Sequence, residues 1–201
     1  MVSPQRAAFW LWLIWFCTWW IAAVWASRAV ARPKLGAGVL HRVFASAGFL
    51  LLFLDHFFLR YRAHPRAPIF AGLTRPLWAE PALVGWALVV LVVLSFGFCW
   101  WARLHLGKLW SGLTTVKADH RVVDTGPYRL VRHPIYTGLI AAALFTAAIE
   151  ASVSGMLGFG LIALGFWMTA RIEEAFLRQE LGTGPYDAYA RRTPMLIPGL
   201  R

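Results

Sequence analysis

PIYTGLIAAALFTAAI, Pro134 to Ile149, is followed after only Glu150 and Ala151 by SVSGMLGFGLIALGFWMTA, Ser152 to Ala170. Two apolar runs separated by two residues read as a tight helical hairpin. Pro134 suits the first turn of a helix, where its missing N–H costs nothing. The second run carries Gly155, Gly158, Gly160 and Gly165. Small residues let apolar helices approach closely, so this face predicts tight packing against a neighbour. A span of the hydrocarbon core needs roughly 20 apolar residues. Three earlier runs reach that length: Ala7–Ala26, Val39–Leu59 and Ala82–Ala102. The first is too long and too rich in Trp for a signal peptide, and no small-x-small site suits its end.

Composition supports the same reading. The chain has 201 residues, 59% of them hydrophobic, with mean hydropathy +0.58 and 12 Trp. A soluble domain lies nearer half apolar, and a chain this short cannot enclose so much apolar surface. Trp favours membrane interfaces. The formal net charge of +11 points to nucleic acid or to a membrane surface. The basic residues lie between apolar runs and form no basic helix face, which excludes the nucleic-acid class. Loops 27–42 and 103–133 and the tail hold 15 Lys and Arg, against 5 on the other side. The positive-inside rule therefore predicts an N-terminus outside and a C-terminus in the cytoplasm. The expected fold is an all-α integral membrane protein of five transmembrane helices with a C-terminal cytoplasmic helix and loop. It forms one structural domain, with a three-span region over 1–102 and a catalytic region over 103–201. The bacterial inner membrane is the expected location. Cys17 and Cys99 form no CxxC pattern and read as small core residues. Asp55 and His56 read as an interfacial pair at a helix end. Prolines 65, 68, 76 and 81 mark loop two, residues 60–81, as irregular.

The chemistry concentrates between Gly107 and Gly138. Gly126-Pro-Tyr128 and His133-Pro134 are turns, and the second opens a helix whose first backbone donors attract anions. Arg129 and Arg132 add fixed charge in forks that match carboxylates. Tyr128, His133 and Tyr136 add aromatic surface with polar tips. Such a set suits an amphoteric small molecule with an aromatic ring, a sugar and a carboxylate. A positive-inside loop that contacts lipid headgroups is the plainer alternative. Downstream, Arg171 and Glu174 are helix neighbours at i, i+3. Glu173 and Glu174 sit where the last span leaves the membrane, placed to receive an ammonium or ribose hydroxyls. The segment from Pro185 to Pro198, with Tyr186 and Tyr189, reads by itself as a membrane-surface tail.

In this order, His120-Arg-Val-Val123, Gly126-Pro-Tyr128, Arg132-His-Pro-Ile-Tyr136-Thr-Gly138, Glu173-Glu174 with Leu177, Gly182, Tyr186, Tyr189 and Pro198 resemble the isoprenylcysteine carboxyl methyltransferase family. The wider group includes phospholipid N-methyltransferases. The resemblance covers the C-terminal half. It implies S-adenosylmethionine as methyl donor, with S-adenosylhomocysteine as product. Donor contacts are implied from His120, Arg121, Val122, Val123, Tyr128, Arg132, His133, Pro134, Ile135, Tyr136 and one of Glu173 and Glu174. Arg171 is the implied residue for orienting a lipophilic acceptor, and Arg171 with Glu174 the implied catalytic pair. The spacing of Arg171 to Glu173 is shorter than the family pattern, and Thr193-Pro-Met195 stands where a basic residue is common.

Methyl transfer from a sulfonium needs no metal, and none is expected. The expected reaction is carboxyl O-methylation of an isoprenylcysteine-like or isoprenoid acceptor. A lipid amine or thiol is the alternative acceptor. A nicotinamide-dependent reductase of the sterol type and a non-enzymatic scaffold are the alternatives of other classes.

Overall fold

The computed structural model describes residues 2–24, 39–54, 56, 68–107, 123–181 and 183–200. They form helices α1 (Pro4–Ala23), α2 (Val39–Leu52), α3 (Pro68–Leu73), α4 (Ala82–Leu106), α5 (Pro134–Glu150), α6 (Val153–Leu181) and α7 (Thr183–Arg192), with a 3-10 turn at Gly126–Arg129. No strand occurs among them, and one isolated bridge pairs Pro76 with Ser152. Among the described residues two helices are long and apolar enough to cross a membrane, Ala82–Leu106 and Val153–Gln179. Helices α2 and α5 are apolar but shorter. At 1.5 Å per residue α5 spans roughly 26 Å, a little under the hydrocarbon thickness. Loop two holds a short helix, α3, where the sequence predicts only irregular chain. Asp55 lies outside the described residues.

Helix α5 sits in the middle, against α1, α2, α4 and α6. The predicted hairpin is present. Ala151 closes α5 in a left-handed conformation, φ 49° and ψ 32°, and its N–H returns to the Ala147 carbonyl at 3.0 Å. Such a conformation costs an L-residue on the order of 1–2 kcal/mol. Two contacts hold it: the Leu77 N–H donates to the Ala151 carbonyl at 2.6 Å, and the buried Ser152 hydroxyl accepts from the Gly155 N–H at 3.1 Å. The second of these is an N-terminal cap for α6.

Three close approaches set the helix positions. Gly138 of α5 lies against Cys99 Sγ and the Ser95 carbonyl of α4, where any Cβ would collide. Gly158 and Gly165 of α6 lie against the backbone of α2 at Gly48, Leu52, His41 and Ala45. The Trp12 indole crosses from α1 to Thr146 of α5 at 2.9 Å. Trp12 and Trp15 are buried among Phe49, Phe53 and Phe96 rather than at an interface. Dense edge-to-face aromatic packing fills the space between α1, α2 and α4. Cys99 is buried as expected, whereas Cys17 is exposed on α1. His56 stacks on Phe9 at 4.8 Å and lies 3.7 Å from Glu150, turned inward rather than toward headgroups.

The glycines of α6 are not equivalent. A methyl at Gly158 would stand 2.5 Å from the Leu52 amide nitrogen and 2.7 Å from the Gly48 oxygen, while nothing lies within 4 Å of a Cβ at Gly160. Gly158→Ala is expected to destabilise the fold by about 1–3 kcal/mol through overpacking. Gly160→Ala is expected to be neutral or to stabilise by up to about 1 kcal/mol. Thermal unfolding in detergent checks both; equal midpoints for the two variants contradict this packing.

Candidate functional site

The site is built at the N-terminal end of α5. Gly126 has φ 57° and lies so close to the His105 ring that a Cβ would sit 2.6 Å from it. Only glycine meets both demands. The His105 Nε2 in turn reaches Thr125 Oγ1 at 2.9 Å. The end of α4 is thereby docked on the Gly-Pro-Tyr turn. Buried Arg103 joins the same corner, donating to the Gly107 carbonyl at 3.1 Å and to the Ala22 carbonyl at the end of α1 at 3.0 Å. Tyr128 is buried, and burial pushes its hydroxyl well above the usual tyrosine range.

His133 caps α5, and its buried ring faces two carboxylates of α6. Its Nδ1 lies 3.6 Å from Glu173 Oε2 and its Nε2 lies 3.4 Å from Glu174 Oε1. The Tyr136 hydroxyl donates to Glu173 Oε2 at 2.9 Å. The Tyr136 ring stacks on His133 at 5.5 Å and on Phe166 at 5.4 Å. Glu174 is 4% exposed, Glu173 26%. Arg132 Nε donates to Glu174 Oε1 at 2.6 Å, and Arg178 NH2 lies 3.6 Å from Glu174 Oε2. Burial alone would push the His133 pKa down; the adjacent Glu173 and Glu174 outweigh it and hold the pKa above 6.5.

Residues 87–179 match the family model of the isoprenylcysteine carboxyl methyltransferase (ICMT) family. The matched segment opens within α4 and contains every member of this cluster. Three relatives illustrate the likeness. The nickel-cobalt-cadmium resistance protein NccN of Alcaligenes xylosoxydans xylosoxydans is 29% identical over 113 residues, 54% of this chain and 51% of that protein. The protein-S-isoprenylcysteine O-methyltransferase of Schizosaccharomyces pombe is 34% identical over 101 residues, 48% of this chain and 42% of that protein. Protein-S-isoprenylcysteine O-methyltransferase B of Arabidopsis thaliana is 28% identical over 101 residues, 48% of this chain and 50% of that protein. The chain spans about half the length of the curated relatives it matches.

Of the positions that the ICMT resemblance implies, His133, Tyr136, Glu173 and Glu174 come together in one cluster. Pro134 is buried, and the Ile135 carbonyl accepts from Cys99 Sγ at 3.4 Å. Val123 is half-buried at the start of the described turn. His120, Arg121 and Val122 lie outside the described residues, as do Lys108 and Lys117. Arg132 turns its guanidinium to protein acceptors: Glu174, the Ala190 carbonyl at 2.9 Å and the Thr193 carbonyl. Arg171 is exposed and lies over the Trp167 ring of its own helix at 5.9 Å. Glu174 has Arg132, His133 and Arg178 around it in place of the Arg171 neighbour expected from the i, i+3 spacing.

The C-terminal segment differs from the surface tail expected of it. Tyr186 and Tyr189 are buried, and the Tyr189 hydroxyl donates to the Tyr128 carbonyl at 2.6 Å. Arg178, stacked over Tyr186 at 5.2 Å, pairs with Asp187 at 2.8 Å. The backbone just before α5 is paired with the same segment. The Arg132 N–H goes to the Pro194 carbonyl at 2.9 Å and the His133 N–H to the Met195 carbonyl at 3.1 Å. Sequence reading missed Arg178, Asp187 and Thr137 as members of this corner. The i, i+4 spacing of Glu174 and Arg178 was the available signal for the first.

His133 titrates with a folded-state pKa above its unfolded value near 6.5. Its contribution to stability is therefore fully present below about pH 6.5 and is lost as pH rises through the higher folded value. Thermal unfolding from about pH 6 to about pH 9 should show a falling midpoint that flattens in His133→Gln. Identical slopes in the two proteins contradict the pairing of His133 with Glu173 and Glu174.

Proposed function

We propose that this chain is an S-adenosylmethionine-dependent methyltransferase that acts on a lipophilic acceptor at the cytoplasmic face of a membrane it crosses five times. The observation that carries the reading is the buried His133–Glu173–Glu174 cluster at the start of α5, inside the segment that matches the ICMT family. The cluster fits such a donor. The buried His133 ring is held between two carboxylates, Nδ1 3.6 Å from Glu173 and Nε2 3.4 Å from Glu174, which fixes its orientation at the edge of the cluster. The His133, Tyr136 and Phe166 rings form an aromatic stack beside the partly exposed Glu173 carboxylate. An adenine ring and ribose hydroxyls or an ammonium match those two surfaces.

When bound, S-adenosylmethionine supplies a methyl group on a sulfonium that carries its own leaving group. The chain's part is to bind, to align and to exclude water. His133, at the head of α5, and Glu173 of α6 hold and orient the donor, and Glu174 keeps His133 in place. Holding two reactants in line is worth about 7–11 kcal/mol. A carboxylate acceptor is ionised at neutral pH and needs no base. A lipid amine would pass its proton to Glu173, the least buried member of the cluster. Arg171, exposed above Trp167 where α6 leaves its apolar stretch, is the chain's cation for an acceptor's acidic headgroup. His120, Arg121, Val122 and Val123 complete the donor's surroundings in this reading. An isoprenylcysteine or another isoprenoid acid is the acceptor class, as the names of the fungal and plant relatives indicate for those proteins.

Calorimetric titration of the purified protein with S-adenosylhomocysteine should show micromolar-range binding, typical of substrate constants. His133→Ala and Glu174→Gln should weaken it by about tenfold or more, as loss of a hydrogen bond to a charged group does. No heat with wild-type protein, or undiminished affinity in both variants, overturns the assignment.

A further inference from the structure

The strongest unexplained feature is how the segment after α7 is fastened. Consecutive carbonyls of Thr193, Pro194, Met195 and Leu196 accept from the Arg132 guanidinium, the Arg132 N–H, the His133 N–H and, at 2.6 Å, the Thr137 hydroxyl. The segment thus lies as a strap across the N-terminal turn of α5. It lies beyond residue 179, outside the matched family segment.

We propose that Arg132 is a positioning residue that locks this strap to Glu174, so that strap and carboxylate together hold His133 in its working orientation. The functional consequence rests on the methyl-donor reading above; the lock itself does not. One planar guanidinium reaches three elements. Its Nε meets Glu174 of α6, and its NH1 meets the Ala190 carbonyl in the last turn of α7 and the Thr193 carbonyl of the strap. A cation there also satisfies carbonyls that the end of α7 leaves unpaired. The fork's geometry matters, since an ammonium is a point charge on a flexible stem. Arg132 and His133 are adjacent, so His133 is held by two handles that share one lock. Its N–H is held by the strap, and its ring faces the carboxylate that Arg132 fixes. The charge of Arg132 is thereby committed to protein acceptors, and a ligand carboxylate must find its cation elsewhere.

The test uses the full chain in detergent with two readouts. Hydrogen–deuterium exchange at the amides of residues 132 and 133 reports the strap without any ligand. S-adenosylhomocysteine titration reports the site. Arg132→Gln should raise exchange at both amides and weaken binding by about tenfold or more. Arg132→Lys keeps the charge, so it guards against misfolding of the Gln variant. It should still raise exchange, because it cannot reproduce the fork. Because Arg132 acts through Glu174, Arg132→Gln combined with Glu174→Gln should bind no more weakly than the worse single variant. Unchanged exchange in both Arg132 variants, or additive losses in the double variant, overturns the proposal. If wild-type protein binds no S-adenosylhomocysteine, the methyltransferase reading falls, and the exchange result alone decides whether the lock exists.

Discussion

Glu174 is the constraint on which the arrangement depends. A carboxylate buried to this degree costs several kcal/mol unless cations compensate it. Here Arg132 lies at 2.6 Å, His133 at 3.4 Å and Arg178 at 3.6 Å. The three come from different places. Arg132 and His133 precede α5, and Arg178 lies one turn further along α6. Arg178 also reaches Asp187 of α7. One buried charge therefore ties the start of α5, the end of α6 and the C-terminal helix into a single corner. Removing any one cation leaves the carboxylate under-compensated.

The helix bundle serves that corner by placing α5. Gly138 against Cys99 and Ser95 lets α5 settle onto α4. Trp12 against Thr146 holds it to α1. The left-handed turn at Ala151 then sends α6 back alongside it, so that Glu173 and Glu174 arrive level with His133. Close packing by small residues is thus the route by which apolar sequence sets polar geometry.

Much of this was legible in the sequence because it is carried by side-chain type. Runs of apolar letters mark the helices, two residues between them mark the hairpin, and His133 with Glu173–Glu174 stands out as polar chemistry at helix ends. Gly158 and Gly165 were legible as contact points; that Gly160 faces open space was not, because spacing alone does not say which side of α6 meets α2. The strap was illegible for a deeper reason. Its acceptors are backbone carbonyls, which every residue carries, so Thr193 to Leu196 read as a plain tail. Tyr186 and Tyr189 read as membrane anchors because an amphipathic ring suits an interface as well as a buried hydrogen bond. Arg132 read as a free cation for the same reason, since its acceptors have no sequence signature.

We propose that the His133–Glu173–Glu174 corner directs methyl transfer to a lipophilic acceptor. The most direct measurement is transfer of label from methyl-labelled S-adenosylmethionine into a membrane lipid extract, read by mass spectrometry, with wild-type protein and His133→Ala side by side. A labelled organic-soluble product is expected with wild-type protein, and its loss in the variant. Equal labelling by the two proteins, or no labelled product with a wild-type protein that binds the donor, contradicts it.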